Sequence, residues 1–191
     1  MNKRNLVQTV LFALAYFLMM TIGVMVGRQV DHTPYKFLAS AMTAVFGGVA
    51  YFYFVPRIRA FGAITIVGTL MGSFFLLTGH MPAAVLPGFI FGLLADILAK
   101  QGGYKNVGLN ILSFLFFAYT VTGPILMMWF MRSAYIASLV ARGKSSDYIN
   151  QVMVPATWPN ISSFLVSVLI GGLVGALLGV AVNKALPIKK N

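Results

Sequence analysis

Charged residues fall in short clusters along this chain. Between them run five stretches without a single Asp, Glu, Lys or Arg: Asn5 to Gly27, Phe37 to Pro56, Ala60 to Ala95, Asn106 to Met131 and Tyr148 to Asn183. A helix rising about 1.5 Å per residue needs about 20 apolar residues to cross the hydrocarbon of a bilayer. The first, second and fourth stretches therefore predict one span each. The third is 36 residues long, roughly 54 Å as a single helix, which is too long for one crossing. Gly79-His80-Met81-Pro82 marks a turn in its middle, so it predicts a helical hairpin. The fifth is interrupted between Pro155 and Pro159, which leaves one span from about Ile161 to Val182. The pattern predicts six spans, near 6–27, 37–55, 61–79, 82–99, 107–131 and 161–182.

Composition removes the alternatives. Of 191 residues, 59% are hydrophobic and only 9% charged, with three Asp and no Glu. Soluble domains run near one quarter charged, and disordered chains are polar, so the expectation is an all-α integral membrane protein forming one domain over 1–191. The absence of Cys excludes disulfide scaffolds, thiolate zinc sites and Cys nucleophiles together. Lys3-Arg4 would suit a signal peptide, but the apolar stretch behind them exceeds the 7–15 residues of a signal core.

Basic residues prefer the cytoplasmic side. With the N-terminus inside, the inner segments hold Lys3, Arg4, Arg57, Arg59, Lys100, Lys105, Lys184, Lys189 and Lys190, and the outer ones Arg28, Lys36, Arg132, Arg142 and Lys144. Nine against five predicts a multi-pass cell-membrane protein with both termini cytoplasmic. The net charge of +11 follows from this bias and from attraction to anionic lipid. Nucleic acid is not needed to explain it.

Most connections are short, the exception being 132–159. There Ser133 to Arg142 carries Ile136, Leu139 and Val140 with Gly143 as a stop, and Ser145 or Ser146 can cap a second helix from Asp147 to Val154. This predicts a structured outer lid over 132–159, between the fifth and sixth spans. Small residues recur at four-residue spacing: Gly68 and Gly72, Gly88 and Gly92, and Gly171, Gly175 and Gly179. Such faces let helices approach closely in lipid. They predict internal packing, with docking of a separate membrane subunit as the alternative.

Catalytic inventory is sparse. Without Glu there is no H-E-x-x-H metalloprotease motif, and no Gly-x-Ser-x-Gly occurs. His32 and His80 have no metal-ligand neighbours at useful spacing, so neither an enzyme nor a cofactor is expected. Asp96 is the acid within a span, and Lys100 one turn on can pair with it. A contact from Asp96 to a cytoplasmic or coupling partner is the sharper reading. A candidate small-molecule site gathers at the outer helix ends: His80, Tyr119, Trp129, Arg132, Tyr135, Trp158 and Asn160. Arg132, one turn after Trp129, would clamp an anionic group. Trp, Tyr and Arg also serve as interfacial anchors. Thr120, Thr122 and Pro124 predict a kink in the fifth span, with Thr hydroxyls satisfying freed carbonyls.

The segments Phe61 to Gly72, Leu77-Thr-Gly-His80, Gly92 to Lys100 with Gly103-Tyr-Lys105, and Trp129 to Tyr135 resemble the Trep/Strep family of substrate-binding (S) components of energy-coupling-factor (ECF) transporters. The resemblance implies a prokaryotic six-helix bundle that binds a vitamin-like micronutrient from outside. It also implies partners, namely a membrane coupling protein and two cytoplasmic ATPases. A small-residue docking face on the first helix is implied too, where this chain has Thr9 and Ala13. An autonomous small-solute transporter or channel is the competing reading, and a membrane enzyme a distant third.

Overall fold

The computed structural model describes residues 2–31 and 37–186; His32, Lys36, Lys189 and Lys190, read above, lie outside them. Among the described residues the chain is helical throughout, with no strand. The helices are α1 (Lys3–Val30), α2 (Phe37–Ile58), α3 (Ala63–Leu77), α4 (Leu86–Gln101), α5 (Val107–Phe117), α6 (Gly123–Phe130), α7 (Arg132–Ala141), α8 (Ser146–Val152) and α9 (Trp158–Ala185). Two 3₁₀ turns, Pro82–Val85 and Ala118–Val121, lead into α4 and α6. By length and composition α1, α2, α9 and the run Pro82–Gln101 can each cross a membrane, and α5 with α6 makes a fifth crossing if that bent pair counts as one. At 15 residues, α3 is shorter than the usual span.

Local chemistry places the element ends. Asn2 accepts the Asn5 amide at 2.8 Å and starts α1, while Asn106 accepts the Leu109 amide at 3.0 Å and starts α5. The expected hairpin turn is present: α3 stops at Leu77, Gly79 takes φ +80°, and Pro82 opens the next turn. Between α6 and α9, α7 ends before Gly143 at φ +70°, and Ser145 caps α8 through the Tyr148 amide at 3.2 Å. The second short helix ends at Val152, two residues earlier than expected. Val154 precedes Pro155, where the α conformation is disfavoured, and the chain is already extended at Met153. By contrast α9 begins at Trp158, earlier than the expected Ile161, because Pro159 sits in its first turn where no amide is required.

The fifth span is not one straight helix. After α5 the chain tightens into 3₁₀ over Ala118–Val121 and bends by 64° into α6. Pro124 lacks the amide that would continue the ladder. The Thr120 hydroxyl donates to Phe117 O and the Thr122 hydroxyl to Tyr119 O, each at 2.7 Å, as the sequence predicts for a kink.

Packing in lipid cannot rely on apolar burial between helices, so close approach does the work. The glycine faces all turn inward. Gly48 of α2 and Gly175 of α9 lie so close that a Cβ on either would strike the partner helix's backbone carbonyl region. Between α3 and α4, a Cβ on Gly88 would sit 2.6 Å from Gly68 O. The core between these pairs is aromatic: Phe12 and Tyr16 from α1, Tyr51 from α2, and Phe114 and Phe117 from α5, with Tyr16 and Phe117 edge to face at 5.0 Å. A buried polar chain crosses it. Tyr51 donates to Ser113 Oγ at 2.5 Å, and Ser113 donates to the Ala95 carbonyl, which links α2, α5 and α4.

Two expectations are corrected here. Thr9 and Ala13 do not form an outward docking face, because both are buried. They belong to the inner row of α1 with Phe12, Tyr16, Met20, Gly23 and Gly27, against α2 and the aromatic core. The outward row carries Val7, Leu14, Leu18 and Met25. Asp96 is likewise fully buried and is not open to a partner. Nor does it pair with Lys100, whose Nζ lies over the Phe61 ring at 4.7 Å.

Candidate ligand cavity at the Arg28 end of the bundle

Reversals of direction bring the end of α1, the start of α2, the end of α3 and the start of α6 to one end of the bundle. They border a half-open cavity of about 420 Å³, within the range of small-molecule sites. Met20, Val24 and Arg28 line it from α1, Ala39, Ser40 and Thr43 from α2, Phe74, Phe75, Thr78 and His80 from α3 and its turn, and Pro124 and Ile125 from α6. Local sequence explains why space remains. The bend before α6 turns that helix away, and Gly123 rests against the Ala84 carbonyl.

Three of the polar groups at the wall, Thr43, Thr78 and His80, are held by hydrogen bonds. Thr78 Oγ1 donates to Phe75 O at 3.0 Å, so it accepts from Nδ1–H of His80, also at 3.0 Å. The neutral ring then presents Nε2 as an acceptor. Burial first, and the nearby Arg142 cation second, hold the His80 pKa below its ordinary value, against a smaller opposing effect from the Phe75 backbone. Thr43 Oγ1 donates to Ala39 O at 2.9 Å. One turn below Met20, the fully buried Tyr16 hydroxyl has no partner among the described residues.

The segment between α6 and α9 is docked on this wall. Arg142 Nη2 donates to Thr78 O at 2.9 Å, and the Tyr135 ring lies 6.3 Å from the His80 ring. Beneath them Tyr135, Leu139, Ile149 and Met153 form a buried cluster with Ala84 and Met127. Burial raises the Tyr135 phenol pKa, so it stays neutral.

Of the seven residues expected to form the site, the structure brings only His80 and Tyr135 together at this wall. Tyr119 turns elsewhere: its hydroxyl donates to Leu165 O at 2.7 Å, and its ring lines a separate apolar groove of about 300 Å³ with Phe91, Leu112 and Leu169. Trp129 packs edge to face on Phe164 at 5.6 Å, its indole N–H buried without an acceptor among the described residues. Arg132 is exposed. The helix breaks at Met131 (φ −129°, ψ 45°), so Arg132 opens α7 and does not sit one turn from Trp129 on a shared face. Trp158 is 78% exposed, as an interfacial anchor would be. Asn160 commits its amide to Pro155 O at 3.0 Å. Arg28, Ser40, Thr43 and Thr78 were missed. The signal available was that polar residues on alternate passes meet at the same end.

A second polar centre lies at the opposite end. Asp96 Oδ2 accepts from the Gly62 amide at 2.8 Å and from both the amide and hydroxyl of Thr65 at 3.1 Å, while Oδ1 accepts from Tyr104 at 3.2 Å. The carboxylate thus serves the free amides at the N-terminus of α3 from another helix, and burial first, then the Asp96 charge, raises the Tyr104 pKa. No group of three or more metal-ligating side chains occurs among the described residues.

Residues 3–185 match the family described as "Hypothetical bacterial integral membrane protein (Trep_Strep)". The chain belongs to that family. It is therefore an integral membrane protein of a bacterial type, as its apolar helices require. No curated protein and no solved structure matches the chain.

Proposed function

We propose that this Trep_Strep member is the substrate-binding S component of an ECF-type transporter, capturing a vitamin-like micronutrient from outside the cell. The observation that carries the reading is the cavity at the Arg28 end, with a hydrogen-bonded polar wall and the α7–α8 segment docked upon it. In this reading α3 is a sixth crossing, packed against α4 through Gly68 and Gly88. The Arg28 end is outer, α7 and α8 are a lid, and both termini are cytoplasmic, which the nine-to-five basic bias supports. A membrane coupling protein and two cytoplasmic ATPases supply the energy, and the chain itself neither catalyses a reaction nor holds a cofactor. The sequence has no phosphate-binding loop of the Walker type, which accords with energy supplied by partners.

The test is uptake and co-purification in the native host. A tagged chain should bring down a coupling protein and two ATPases, and deleting the coupling protein should abolish uptake. Purification alone, with uptake intact in the deletion strain, favours the autonomous transporter instead.

A further inference from the structure

The cavity at the Arg28 end has a charge pattern that selects among ligand classes. Most of its wall is apolar, with Met20 and Val24 facing Phe74, Phe75 and Ile125. Among the described residues its formal charge is the exposed Arg28 guanidinium, which makes no hydrogen bond or ion pair with them. None of the three acids of the chain lines the cavity. Asp31, three residues after Arg28, accepts the Leu38 amide N–H at Oδ2, at 2.7 Å. Asp96 is committed at the far end, and Asp147 lies in α8. A cationic ligand would meet repulsion and no countercharge. Arg28 is exposed, so water meets its protons beside a neutral ligand, and an anion adds the charge-assisted contact that a neutral ligand lacks.

The neutral polar groups add a second requirement. The hydroxyl protons of Thr43 and Thr78 are already spent on Ala39 O and Phe75 O. What these two groups still offer is lone pairs, which a hydrogen-bond donor on the ligand would meet.

We propose that this cavity binds a water-borne organic anion: a carboxylate or comparable acid held by Arg28, an apolar or aromatic body against Phe74 and Phe75, and an N–H or O–H facing the threonines. The inference rests on the reading of this cavity as the ligand site of a transport protein. A phospholipid shares the chemistry of an acid on an apolar body, and the experiment separates it by mass.

Titration calorimetry in dodecyl maltoside tests the charge requirement, using N-acetylphenylalanine (a carboxylate at pH 7) and its uncharged amide as probes. The acid should bind at least about tenfold more tightly than the amide. Arg28→Gln should weaken the acid by about ten- to a hundredfold, the loss expected for one charge-assisted contact, and leave the amide unchanged. Equal binding of acid and amide, no measurable binding of either, or an unaltered acid affinity in Arg28→Gln would overturn the proposal. Native mass spectrometry of protein from rich medium is the second arm. A retained small organic acid, lost in Arg28→Gln, supports the anionic class. A retained neutral compound, amine or phospholipid overturns it. A retained neutral solute would leave the transport reading standing, since that reading fails separately, by uptake without a coupling protein.

Discussion

Arg142 donates to the Thr78 carbonyl oxygen at 2.9 Å, and Thr78 in turn lines the cavity and accepts from His80. One residue at the end of α3 therefore lines the cavity on one side and anchors the α7–α8 segment on the other. Any change in how that segment sits is felt at the cavity wall. Arg142→Ala should remove one exposed hydrogen bond worth about 0.5–1.5 kcal/mol, leave the bundle folded, and raise hydrogen exchange across α7 and α8. Unchanged exchange there would show that the apolar cluster around Tyr135 alone holds the segment.

The same contact gives a pH dependence. Burial and the Arg142 cation depress the His80 pKa in the folded protein, so the unfolded chain binds the proton more readily. Stability from a neutral His80 is then fully present above the ordinary histidine value of about 6.5 and is lost as pH falls through it toward the folded pKa. Thermal unfolding in detergent should show the midpoint falling on acidification below about pH 6.5, with a shallower fall in His80→Gln. Identical acid limbs for the two proteins would remove His80 from this role.

Asp96 separates two pairings that sequence alone could not rank. Asp96→Ala strands the Gly62 and Thr65 amides and the Tyr104 hydroxyl, so the unfolding midpoint should drop substantially, at about 1–3 kcal/mol for each buried group left unmet. Asp96→Asn keeps an accepting oxygen and should cost less. Lys100→Ala should be nearly silent, since Lys100 rests on Phe61. A Lys100→Ala variant as damaging as Asp96→Ala would restore the ion pair.

The contact of Gly48 with Gly175 permits no side chain. Gly175→Leu should force α2 and α9 apart and destabilise the protein by roughly 1–3 kcal/mol or more. Leu177→Ala, on the outward face of the same helix at 66% exposed, should scarcely register. Comparable midpoints for the two variants, by tryptophan fluorescence in detergent, would contradict this packing.

Ala13 and Leu14 are neighbours with opposite roles. Ala13 is buried beside the aromatic core, whereas Leu14 is 63% exposed. Ala13→Trp should overpack the core and yield aggregated or low-melting protein, while Leu14→Trp should purify normally. Size-exclusion profiles of the two variants check this. A well-folded Ala13→Trp would return that residue to the outer surface.

What the sequence determined by itself was set by length and by local backbone chemistry. Charge-free runs long enough to cross a bilayer specified a helical membrane protein. Gly79 and Pro82 specified the turn between α3 and α4, Pro124 with its threonines specified the bend before α6, and Gly143 with Ser145 separated α7 from α8. Each of these signals acts within a turn or two of chain. The tertiary structure alone decided which face of α1 turns inward, which group Asp96 serves, and that Arg28 rather than Arg132 stands at a cavity. The physical reason is the solvent. In water, an apolar stripe announces the buried face of a helix. In lipid both faces are apolar, and inward and outward residues differ mainly in size and fit. Thr9 and Ala13 could therefore equally have met a partner protein or the interior. Only the paired backbones of α1 and α2, and the aromatic rings packed beside them, settle which.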